Sequence, residues 1–108
     1  MKPMLDFSSI TSLKMAEHAS KDARLLKTLL IPEELGGRDL PENVVFIPPG
    51  AKEAKDRATL DLIGARMGVT EITVVPEYRD ASFVPSRIFI TAARPGAPPE
   101  YELEIGIW

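Results

Sequence analysis

The chain has 108 residues, 44% hydrophobic and 27% charged, a size and balance that suit one globular α+β domain spanning 1–108 and exclude disordered, collagen-like and coiled-coil readings. It holds no Cys, which removes disulfides, thiolate catalysis and any Cys-ligated zinc or iron–sulfur site. A formal net charge of −3 argues against a nucleic-acid partner, because phosphate binding needs a concentrated basic field.

In chain order, Met1 to Ser9 carry no signal-peptide core, and no later segment approaches a membrane-spanning length. The expected setting is therefore soluble and cytoplasmic, with no membrane association. From about Ser9 to Leu30, Met15, Ala16, Ala19, Ala23, Leu26 and Leu30 recur at helical spacing. Lys14, Glu17, Lys21 and Arg24 face away from that stripe, so the pattern predicts an amphipathic helix over about 9–30, with Asp6, Ser8, Ser9 and Thr11 as alternative N-caps and Pro32 as a stop. Residues 31–43 read as a loop, acidic through Glu33, Glu34, Asp39 and Glu42 and loosened by Gly36 and Gly37.

Asn43 to Ile47 is a short run of β-branched and aromatic residues, which predicts a strand covered on both faces. Pro48-Pro49-Gly50 ends it, and a second helix is expected from Ala51 to Met67, with Gly68 as its C′ residue. Ala51, Ala54, Ala58, Leu62 and Ala65 make one stripe; Leu60, Ile63 and Met67 make another. Lys52, Lys55 and Arg66 form a short basic strip, read as a solvated face. Beyond this point the period becomes two. Val69–Val75, Arg87–Ala92 and Tyr101–Ile107 alternate apolar with polar side chains and predict an antiparallel meander over about 69–107.

The order helix, strand, helix, strand, strand, strand permits a right-handed parallel crossover over about 43–75. The expected architecture is a two-layer α/β sandwich, a four-stranded mixed sheet with both helices on one face. Its core would hold Leu26, Leu30, Val45, Leu62, Ile72, Val74, Ile88, Ile90, Leu103 and Ile105.

His18 is the only histidine and lies mid-helix, so neither a metal centre nor a Ser/His/acid triad has its usual partners. No catalytic residue, metal or cofactor is assigned. By strand parity the outer sheet face collects an apolar set, Val75, Phe89 and Trp108, with Arg87 beside it, expected to be an interface covered by another copy of the chain or a protein partner. The competing reading is that a cation–π contact with Arg87 holds Trp108 within a monomer. The same face gathers an acidic set, Glu71, Glu77, Glu102 and Glu104. Gly50, Ala51 and Lys52 offer a generic anion site at a helix start, without the spacing of a phosphate loop. The leading functional expectation is a non-catalytic interaction or assembly module, homo-oligomeric, in an unknown pathway. The alternative is a small-molecule or anion-binding regulatory domain that uses the strand-to-helix loop 48–52.

Overall fold

The computed structural model describes residues 7–65 and 71–108, and the side chains of all of these except 63–65. Its elements are α1 (Leu13–Lys21), β1 (Leu26–Leu29), β2 (Val44–Ile47), α2 (Pro49–Ala65), β3 (Glu71–Tyr78), β4 (Pro85–Ala93) and β5 (Tyr101–Gly106). Two 3-10 turns, Glu33–Leu35 and Pro41–Asn43, lie between β1 and β2.

The α+β class holds, but the single four-stranded mixed sheet does not. The strands form two separate antiparallel sheets, β1-β2 and β3-β4-β5. The difference starts in the first predicted helix. Ser12 caps α1 by accepting from the Met15 amide, and the helix buries Ala16 and Ala19. It then stops at Lys21 instead of running to Leu30. Ala23 takes a left-handed φ of 62°, and the Asp22 carboxylate accepts from the Arg24 backbone N–H and Nε, which turns the chain.

Leu26 to Leu29 then run back as β1, pairing Leu26 with Ile47 and Leu29 with Val44. β2 therefore closes a hairpin-like sheet with β1, and β3 pairs only with β4. No parallel crossover exists among the described residues, and the helices do not share one face of one sheet. α1 packs on β1 and β2, whereas α2 lies against β5 and β1.

The two sheets share one core. Leu25, Ile47, Ile88, Val45 and Val84 are its largest fully sealed apolar side chains, and β2 reaches β4 across it. Burial of each such residue stabilises the fold by roughly 1.5–3 kcal/mol before the cost of ordering the chain is counted. The meander follows the predicted parity: β4 alternates Ile88, Ile90 and Ala92 inward with Arg87, Phe89 and Thr91 outward. Ser82 ties the N-terminal segment to the β3–β4 turn, donating to the Phe7 carbonyl at 2.7 Å and accepting from the Val84 amide at 3.0 Å.

Among the described residues no helix is long and apolar enough to cross a membrane. The expected end of the second helix at Met67 and Gly68, the strand start at Val69, the basic-strip residue Arg66 and the candidate cap Asp6 lie outside the described residues.

Candidate functional site: the cleft between β1 and α2

The outer sheet face carries most of the residues that parity selects, but they are engaged with one another. Val75, Phe89 and Glu104 sit side by side across β3, β4 and β5, and Glu77 lies opposite Arg87. Arg87 ion-pairs with Glu77 and reaches Glu104 at 3.5 Å, forming a ladder over the three strands. The hydrogen bond to Glu77 holds the Arg87 guanidinium above its ordinary pKa. That guanidinium also lies 5.4 Å from the Phe89 ring and covers it.

Glu102 stands opposite Thr91 and Glu71 opposite Ala93, at the far end of the sheet from Glu77. The four glutamates therefore do not converge, and among the described residues no group of His, Cys, Asp and Glu has the geometry to hold a metal ion.

Trp108 leaves this face. β5 ends at Gly106, and the amides of Ile107 and Trp108 both donate to the Ser86 carbonyl, at 2.8 and 3.3 Å, which bends the chain end. The indole Nε1 donates to the Val84 carbonyl at 3.1 Å, and its ring meets Phe7 edge-on at a centroid distance of 6.1 Å. The cation over it is Arg79, at 4.8 Å, not Arg87. Trp108 and Phe89 are thus separated, each with its own intramolecular partner.

At the start of α2, Gly50 is exposed and Ala51 is 9% exposed. The Lys52 amide donates to the carbonyl of Pro48, the residue before the helix, and its ammonium pairs with Asp56 at 2.6 Å. Lys52 contributes to a site, but one displaced from the 48–52 loop. A cleft of about 450 Å³ lies beside the first three turns of α2, walled by Lys27, Thr28 and Leu29 of β1, by Pro32, Glu33 and Glu34, and by Lys52, Lys55, Asp56, Thr59 and Leu60.

Among the residues that line this cleft, Lys55 is only 3% exposed. Lys27 pairs with Asp39 and Lys52 with Asp56, but Lys55 has no hydrogen bond or ion pair from its ammonium among the described residues. Burial pushes its pKa down from 10.5 to about 8. The Lys52 charge acts in the same direction, while Asp56 and Glu34 oppose it. The loop that carries Glu34 is held by Asn43, whose side chain accepts from the Ile31 amide and donates to the Ile31 and Arg38 carbonyls.

Lys55 was read from sequence as part of a solvated strip, yet its spacing carried the signal. It lies about 40° around the helix from Ala51, at the edge of the apolar stripe of Ala51, Ala58 and Leu62. Lysines are rarely buried without a partner, so this position makes Lys55 a candidate functional group that charge alone does not reveal. No protein-family model matches the chain, and comparison with curated proteins and with solved structures found no match.

Proposed function

We propose that this protein is a small-molecule-binding domain that holds an anionic ligand in the cleft between β1 and α2. The observation that carries this reading is Lys55, a residue only 3% exposed that lines the cleft and whose ammonium has no hydrogen-bond or ion-pair partner among the described residues. Burying an unpaired charge is costly, and a ligand carboxylate or phosphate offsets that cost by supplying the missing partner. The volume falls in the range of small-molecule sites, and Leu29, Pro32 and Leu60 give the wall an apolar part. The partners already held by Arg87, Phe89 and Trp108 favour this site over the outer sheet face.

Thermal unfolding in the presence of inorganic phosphate and a panel of small carboxylic acids tests the reading. A ligand at a hundred times its Kd should stabilise the fold by roughly 2.7 kcal/mol, and Lys55→Met should remove the shift. Absence of any shift across the panel, or a shift that survives Lys55→Met, would refute it.

A second reading, self-association, rests on β3. Its outer edge has no partner strand among the described residues, and Val75 and Tyr78 are 48% and 47% exposed there. Light scattering over a concentration series tests it. A dimer lost in Val75→Lys supports this reading, and a monomer throughout removes it.

A further inference from the structure

We propose that Lys55 Nζ captures a small 2-oxo acid as a reversible imine in the cleft, an inference that rests on reading the cleft as a ligand site. The amine is placed for such a reaction. The residue is only 3% exposed, it lines the cleft, and no carboxylate is bonded to its ammonium. The rim supplies what a 2-oxo acid needs besides the amine. Lys52 and Lys27 keep part of their surface open while paired to Asp56 and Asp39, so their ammonium groups can receive the ligand carboxylate. Leu29, Pro32 and Leu60 accept a short hydrocarbon tail.

The chemistry balances without an added reactant. The deprotonated Nζ attacks the carbonyl carbon, the carbonyl oxygen takes up a proton, and the resulting carbinolamine loses water as the C=N bond forms. Nothing is oxidised or reduced, and hydrolysis returns the free amine. The buried environment helps because attack requires the unprotonated amine. With a pKa near 8, Lys55 offers that form at neutral pH on the order of a hundred times more often than an exposed lysine. Asp56, one residue along, and the Thr28 and Thr59 hydroxyls are the nearby groups that can relay the protons.

The test is reductive trapping of the folded protein with pyruvate and cyanoborohydride near pH 7.5, followed by site-resolved mass spectrometry. Lys14, Lys21, Lys27 and Lys52 serve as internal references. The expected result is labelling of Lys55 by about tenfold or more over each of them, given its larger unprotonated fraction. Lys55→Arg keeps the charge and should bind pyruvate, seen as amide shift changes at Thr59 and Leu60, without forming an adduct in the cleft. Pyruvate binding to wild type that yields no Lys55 adduct would overturn the imine and leave the ligand site standing. The absence of both pyruvate binding and an adduct would overturn the imine, and both readings fall if phosphate and the carboxylic acids also give no thermal shift; equal labelling of all lysines would overturn the imine.

Discussion

A single side chain sets the most measurable electrostatic property of this molecule. Lys55 has a folded-state pKa near 8, below the 10.5 of an exposed lysine, so folding opposes its protonation. Below pH 8 the group is charged in both states and the folded state bears the full desolvation cost. That cost fades as pH rises through 8 toward 10.5, where the unfolded chain also loses its proton. The pKa difference corresponds to as much as about 3 kcal/mol. Lys55→Met should therefore stabilise the ligand-free protein at pH 7 by on the order of 1–3 kcal/mol, a gap that narrows by pH 9.5. Burial also raises the pKa of Tyr78 and Tyr101, so both hydroxyls weaken the fold as pH passes 10. They do so equally in wild type and variant, and the difference between the two proteins isolates Lys55. Denaturant unfolding of both at the two pH values measures it; a pH-independent gap would assign the effect to packing instead.

At the scale of elements, the sequence was legible where one period alone fitted. The strands β3, β4 and β5 were visible because their alternation is clean, and Ile88, Ile90 and Ile105 are buried as that alternation requires. The segment from Leu25 to Leu30 was not legible, because four leucines in six residues satisfy a helical stripe and a half-buried strand equally well. What decided between them was long-range. β2 offers a hydrogen-bonding edge to β1, and no local pattern shows that edge.

The turn between the two fates is Ala23, held at a φ of 62° where a Cβ is strained. Ala23→Gly should relieve the strain and raise stability by up to about 1 kcal/mol. Were residues 9–30 one continuous helix, the same change would lower stability by about 1 kcal/mol. The sign of the shift in a denaturation midpoint thus tells the two architectures apart. The candidate site followed the same rule: Lys55 stood at the edge of the apolar stripe in plain view, but β1, the third wall-forming element of its cleft, was hidden by the helical reading.

Across the whole molecule, the N-terminal segment is held to the three-stranded sheet by Trp108, which changes the meaning of an aromatic residue near a chain end. Parity along β5 sends Trp108 outward, toward Phe89 and a partner chain. The bend after Gly106 instead lays its indole on Phe7, bonds it to the Val84 carbonyl and places Arg79 over it. Trp108 thereby ties the N-terminal segment, the β3–β4 connection and the chain end together. Removing it should act on stability and not on assembly. Trp108→Ser loses half-buried aromatic area and leaves the Val84 carbonyl without its side-chain donor, at a combined cost of about 1–3 kcal/mol. Phe89→Ser should cost less, because Phe89 lies on the outer face beneath the Arg87 guanidinium. Fluorescence supplies the second readout. Emission of wild type should be blue-shifted and unchanged on dilution, since the indole is shielded within one chain. Emission that moves red on dilution, with Trp108→Ser folded but of lower mass, would instead make Trp108 part of an interface between copies. Unfolding curves and light scattering on the same three proteins decide between these outcomes.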